Sequence, residues 1–390
     1  MSANSEYPDG NNTDALHRGW TDLQRREGQA VLQWLRGEER LRNGFVALAT
    51  ALRTTLSEHV RTASEARAVW DAVPAVLERC DDPDTYEMQS AEVAYAWLHL
   101  LDRYARTWLA LEHLLLHGRL PMGRYGVRVL DVGTGPGPSA FATHDFYAAL
   151  EDYAQATDAS DWQQPSDITC VEPAPPMNRI RHLLAERLFS TGAPRSVLGM
   201  ARGLHDFCAI RPTHERRQIE HNLRNQYEEY YDDHREEWHD EPTHTPEDAN
   251  REANLHHRYR LLTFSNFLTS RDRVSALQKN LNDILTDARP GSVLLMIGAT
   301  GGRYPAIQKR MAQMADAGGF RRRNDPELVA TAKARLEGGL REEVRWFYRL
   351  LKELAGNLPV HESVAARLRE ECEGDRQMKF SLSTVHAFRK

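Results

Sequence analysis

Cysteine is scarce in this chain. Four occur in 390 residues, at Cys80, Cys170, Cys208 and Cys372, and no two are spaced as paired metal ligands. That excludes a disulfide-stapled scaffold, a zinc ribbon and an iron–sulfur cluster held by cysteines alone. Long apolar runs are also missing. The longest stretches, such as Val293–Ile297, fall far short of the ~20 residues that span a bilayer, so no membrane association is expected. Nor is there an excess of positive charge: 50 basic residues stand against 56 acidic ones, and the only tight basic cluster is Arg321–Arg323. This balance argues against a nucleic-acid partner. The opening residues, MSANSEYPDGNNTDA, lack the basic start and apolar run of a secretory signal and are too acidic for a transit peptide. Residues 1–13 therefore read as a short disordered leader on a cytoplasmic protein.

A hydrophobic content of 41% is enough to bury a sizeable core, and the 27% of charged residues is ordinary for a soluble chain. From about residue 14 to 120 the texture is helical. Trp97, Leu101, Tyr104, Trp108, Leu111 and Leu115 alternate in steps of four and three, which places them on one stripe of a helix. Gly118 and Pro121 end it. The aromatics of this N-terminal helical region are expected to pack as core between helices; the alternative is that some line a substrate pocket beneath a helical lid.

At Val127 the pattern changes to short apolar runs separated by helical stretches. Val127–Leu130, Ile168–Val171, Ser196–Met200, Tyr259–Phe264 and Ser292–Ile297 read as buried strands. Pro176–Leu188, Val274–Leu285 and Tyr304–Ala315 read as helices between or after them. Such alternation indicates an α/β fold with a doubly wound, mostly parallel sheet, assigned to residues 121–390. A charged insert, 211–258, interrupts it with 13 acidic and 7 basic residues and seven of the 17 histidines. Those histidines do not have the spacing of a helix-borne metal site, so no metal is expected. Residues 320–372 form a helical C-terminal extension before a final strand, Phe380–Phe388.

The first strand runs into Asp131-Val-Gly133-Thr134-Gly135-Pro-Gly137 and then a helix. Strand, glycine turn and helix start together aim backbone N–H groups at a ligand. The glycine spacing is not the G-x-G-x-x-G of dinucleotide folds, and no P-loop sequence is present. Asp131, at the strand tip, would repel a pyrophosphate but attract an ammonium or a sulfonium.

The segment VLDVGTGPG (Val129–Gly137) resembles the first motif of class I S-adenosylmethionine-dependent methyltransferases, and RPGSVLLMIGA (Arg289–Ala299) is similar to their approach to the fifth strand. The resemblance implies a seven-stranded-type sheet, S-adenosylmethionine as cofactor and methyl transfer as the activity. It implies that Gly133, Thr134, Gly135 and Gly137 approach the methionine and ribose portions, and that Asp131 engages the cofactor's amino group. Glu172, closing the second strand, would accept both ribose hydroxyls. Pro173, Ala174 and Met177 would flank the adenine, and Asp206 would hold its amino group.

Methyl transfer is an in-line displacement that needs alignment and exclusion of water more than a dedicated side chain. A general base is required only for a hydroxyl or a protonated amine, and His205 and His144 are the candidates by position. Asn266, Arg303 and Tyr304 follow strands at the carboxyl edge of the sheet, where acceptors bind. Asn266 also suits a helix cap. The fourth strand is not followed by the [ND]-P-P-[YF] sequence of enzymes that methylate base amino groups. The expected acceptor is therefore an oxygen or nitrogen on a small molecule or peptide. The alternatives are an RNA- or ribosome-associated methyltransferase, and a non-catalytic scaffold that keeps the fold.

Overall fold

The computed structural model describes residues 9–79, 85–86, 88–123, 126–188, 197–201, 259–265, 271–288, 290–299, 304–322, 327–328, 331–361, 364–374 and 383–390. Four helices come first: α1 (Asp9–Gly37), α2 (Arg40–His59), α3 (Ala63–Glu78) and α4 (Ala91–Leu116). α1 thus begins inside the segment expected to be a disordered leader. α3 opens on a reciprocal cap in which the Thr62 hydroxyl accepts from the Glu65 N–H and the Glu65 carboxylate accepts from the Thr62 N–H. α4 is buried nearly all round, so it is the axis of the bundle rather than a surface helix. It stops at Gly118, whose φ of 66° lets the Arg119 N–H reach back to the Leu114 carbonyl at 2.8 Å.

The α/β part then alternates β1 (Val127–Val132), α5 (Pro138–Thr157), β2 (Ser166–Glu172), α6 (Pro175–Leu188), β3 (Val197–Ala201) and β4 (Leu261–Ser265). Next come α7 (Arg271–Ala276), α8 (Gln278–Asp287), β5 (Val293–Ala299), α9 (Tyr304–Ala317), β6 (Arg321–Arg322), β7 (Glu327–Leu328), α10 (Thr331–Ala355), α11 (Val364–Glu373) and β8 (Ser383–Arg389). The helix expected over Val274–Leu285 is broken at Leu277 into α7 and α8. Two short strands, β6 and β7, fall in the stretch expected to be helical throughout. The charged insert 211–258 lies outside the described residues.

All strands form one sheet in the order β3-β2-β1-β4-β5-β8-β6, with β7 also pairing with β8. β1 to β5 are parallel. β8 alone runs against the others, pairing with β5 from Val293 opposite Arg389 to Ala299 opposite Ser383. The winding reverses between β1 and β4, since β2 and β3 continue to one side and β5 to the other. An open α/β sheet binds its ligands at such a reversal, outside the carboxyl ends of the strands.

Each face of the sheet carries its own core. On one face, Val127, Val129, Ile168, Cys170, Leu261, Val293, Leu295 and Val385 pack with α5, α6, the N-terminal helices, α10 and α11 in a single continuous cluster. On the other, Leu130, Val132, Leu262, Phe264, Leu294 and Met296 pack beneath α7–α9. The N-terminal helices thus share one continuous core with this face of the sheet. α2 approaches α4 closely at Gly44, where an added Cβ would collide with the Tyr104 hydroxyl. Among the described residues, no helix is long and apolar enough to cross a membrane.

Candidate cofactor site at the strand reversal

The turn after β1 is pinned by its own backbone. The N–H groups of Gly133 and Thr134 donate to the Val171 carbonyl at 2.9 and 3.3 Å, and Gly137 donates to the Thr134 carbonyl at 3.1 Å. The Thr134 hydroxyl donates to the Asp131 carbonyl at 2.9 Å. Gly133, Gly135 and Gly137 have φ of 69°, 57° and 96°, the left-handed region that side chains with a Cβ rarely enter. A Cβ on Gly137 would also meet Phe141 and Arg181 at 2.9 Å. Gly137 caps α5, and Pro138 takes the first helical position, where its missing N–H costs nothing.

Asp131 and Thr263 are register partners on β1 and β4, and the Thr263 hydroxyl donates to Asp131 Oδ1 at 2.6 Å. Asp131 is only 1% exposed, and its second oxygen, Oδ2, has no hydrogen-bond partner. Burial pushes its carboxyl up to about 6, although the Thr263 hydroxyl and the Arg181 guanidinium pull in the other direction. An anion held this way favours any positive group that approaches it.

Glu172, at the tip of β2, is turned back onto the loop. Its Oε2 accepts from the Gly135 N–H at 2.8 Å and its Oε1 from the Ala174 N–H at 3.0 Å. Asn178 on α6 donates to the Glu172 carbonyl at 2.9 Å, which holds the strand end against the helix. The structure therefore brings Asp131, the three glycines, Thr134 and Glu172 to one place. Pro173 is exposed beside them, whereas Met177 is buried in the core between α6 and the sheet.

Two residues of this site carry no signal in the sequence. Arg181, on α6, is 1% exposed, and neither Nη1 nor Nη2 has a hydrogen-bond partner. Its charge reaches both Asp131 and Cys170. It supplies the positive field that offsets a buried carboxylate, while burial pushes the Cys170 thiol up to about 12 and leaves it inert. Tyr95, on α4, lies against Gly135 from the opposite side. An arginine on an amphipathic helix reads as solvated, and an aromatic on an all-round buried helix reads as core.

His144 stands on α5, with Nδ1 3.1 Å from Asp145 Oδ1, and the other Asp145 oxygen accepts from the Tyr104 hydroxyl at 2.7 Å. None of the contacts that join the loop, Asp131 and Glu172 includes it. His205, Asp206, Asn266 and Arg303 lie outside the described residues, and of Tyr304 only the backbone, at the start of α9, is described. Among the described residues, no three His, Cys, Asp or Glu side chains converge as metal ligands.

No family model matches the chain, and no curated protein matches it in sequence. Solved structures do match. One is the magnesium protoporphyrin IX methyltransferase of Synechocystis PCC 6803 with bound S-adenosylmethionine, at 10% identity and a TM-score of 0.34, covering 74% of this chain and 81% of that one. A phosphoethanolamine N-methyltransferase of Haemonchus contortus in complex with S-adenosylhomocysteine matches at 13% identity and a TM-score of 0.36, over 78% and 58% of the two chains. The precorrin-6y C5,15-methyltransferase of Geobacter metallireducens matches at 11% and 0.32, over 74% and 87%. The strand order of this chain, with β8 alone reversed, defines its architecture directly. That architecture is an open, doubly wound, mostly parallel α/β sheet.

Proposed function

We propose that the chain is an S-adenosylmethionine-dependent methyltransferase whose acceptor is an oxygen or nitrogen on a small molecule or peptide. The observation that carries this reading is the pinned loop at the strand reversal. Three positive-φ glycines lie there between a buried carboxylate with an unpartnered oxygen and a second carboxylate fixed by two backbone N–H groups. The residues fit a cationic nucleoside. Asp131 Oδ2 is an acceptor without a donor, and at Gly135 the absence of a Cβ lets a ligand approach the backbone.

In this reading Asp131 holds the ammonium of the cofactor's amino-acid end, and its charge also favours the sulfonium. Glu172 accepts from the ribose hydroxyls, and Pro173 lines the adenine. When bound, S-adenosylmethionine supplies a methyl carbon already activated by positive sulfur. The chain's own contribution is to hold the acceptor in line and to exclude water, and the N-terminal helices that cover the loop serve the second purpose. Asn266, Arg303 and Tyr304 are the acceptor-side candidates, and His205 or His144 takes the proton where the acceptor is a hydroxyl.

The test is calorimetric titration with S-adenosylhomocysteine. The wild-type chain binds it, and Gly135→Asp reduces affinity by at least about a hundredfold while circular dichroism shows the variant still folded, at a melting temperature lowered by the strained backbone. The substitution puts a carboxylate beside Glu172 at a φ of 57°. Wild-type affinity in the variant would contradict the site. No binding to the wild-type chain would leave the fold as a non-catalytic scaffold, and retention on RNA that declines steeply with salt would favour the RNA-associated alternative.

A further inference from the structure

Tyr95 stands in the second turn of α4, the axis of the N-terminal bundle. Its ring is only 7% exposed and is gripped on several sides. The Arg103 guanidinium lies over it at 4.6 Å, and the rings of His99 and Tyr86 meet it edge-on at 5.1 and 6.0 Å. The remaining edge points at the glycine loop. A Cβ built on Gly135 would lie 3.5 Å from Tyr95 Cε1, 3.8 Å from Oη and 3.9 Å from Cζ. These are ordinary contact distances, so the hydroxyl end of the ring lies over the one backbone segment of the site that has no side chain.

A phenol on a buried ring normally satisfies its hydroxyl. Tyr95 does not: among the described residues its contacts are the ring interactions with Arg103, His99 and Tyr86, and its hydroxyl has no hydrogen bond to another described residue. A ring locked in place, ending in an unused donor and acceptor above a ligand loop, is built to meet something that arrives there.

We infer that Tyr95 is a positioning residue whose hydroxyl hydrogen-bonds the nucleoside ligand held at Gly133–Gly137, joining the N-terminal helices to the occupied site. This rests on the cofactor reading above and goes beyond it by assigning α4 a ligand contact. A purely structural Tyr95 would act through its ring alone, which phenylalanine preserves together with the contacts to Arg103 and His99.

The experiment is titration of wild-type and Tyr95→Phe protein with S-adenosylhomocysteine, alongside their melting temperatures without ligand. The expected result is a loss of affinity of roughly three- to tenfold in Tyr95→Phe, the range of one net hydrogen bond, with unliganded melting unchanged. A second variant, Tyr95→Leu, removes the ring as well and is expected to bind more weakly still. Equal affinity in wild type and Tyr95→Phe would overturn this inference and leave the glycine-loop site standing. Failure of the wild-type chain to bind S-adenosylhomocysteine would remove both.

Discussion

The two faces of the sheet are covered very differently. Among the described residues, one carries the helices α7, α8 and α9. The other carries α5 and α6, the N-terminal bundle and the C-terminal helices α10 and α11, all in one unbroken core. Because strand side chains alternate, β1 sends Leu130 and Val132 to the thin side and Asp131 to the thick side, where Cys170 and Thr263 flank it in register. The site's carboxylate, its guanidinium and its aromatic wall therefore belong to the layer where extra helices have accumulated. The thin face contributes none of the loop's contacts described above. Additions to an open sheet serve chemistry when they gather over the side toward which the first strand's terminal acid points.

The largest test of this contrast is a pair of core truncations. Trp97 lies on the thick side, with its indole N–H 3.1 Å from the Val344 carbonyl and its ring 5.2 Å from Phe347. Met311 is fully buried on the thin side. Trp97→Ala is expected to cost about 3–5 kcal/mol and Met311→Ala about 2–5 kcal/mol by chemical denaturation. Only Trp97→Ala should also weaken S-adenosylhomocysteine binding beyond what its folded fraction explains, since Trp97 and Tyr95 share α4. Equal effects on binding would erase the distinction between the faces.

A smaller effect concerns pH. The Asp131 carboxyl is raised to about 6 in the folded chain, above the ~4 of an unfolded aspartate. Below pH ~4 both states are protonated and nothing is lost. As pH rises through about 6 the folded state must carry a buried charge, and stability declines. Asp131→Asn should therefore melt higher than wild type at pH 8, with the gap closing by pH 4. Because an ammonium ligand needs the ionised form, wild-type affinity should also drop below pH 6, and the Asn variant should lack that dependence. Identical pH profiles for the two proteins would show that Asp131 is not the titrating group.

The smallest effect is expected at the thick side's rim. Arg53 on α2 grips Glu343 on α10 with two bonds of 2.6 and 2.8 Å, but the guanidinium is 41% exposed. Arg53→Ala should lower stability by about 1 kcal/mol or less, fading as salt is added, with ligand affinity unchanged. A larger or salt-insensitive loss would mean that this pair anchors the whole bundle.

Much of the site's frame is legible in the sequence because parallel strands are buried on both sides. They appear as short apolar runs; the glycine turn follows the first of them just after Asp131, and Glu172 with Pro173 closes the second. The helical layer is less legible. α4 is buried on nearly every side, so its periodicity marks Trp97 and Trp108 but cannot single out Tyr95 as the ring that meets the loop. Arg181 carries the residue type of an exposed helix face, and only the arrival of Gly137 over its stem makes it interior. β6 and β7 are two-residue strands with no period to read, and the break at Leu277 has no glycine or proline to announce it. In each case the missing information lies in contacts between elements remote in sequence.

One such contact has a temporal consequence. The bond between Thr263 and Asp131 spans 132 positions, so the pocket is incomplete until β4 has paired with β1. Ring closure over so long a stretch is slow compared with local helix formation. On the proposed reading, S-adenosylhomocysteine binding is therefore expected to appear late in refolding, no earlier than the pairing of that strand.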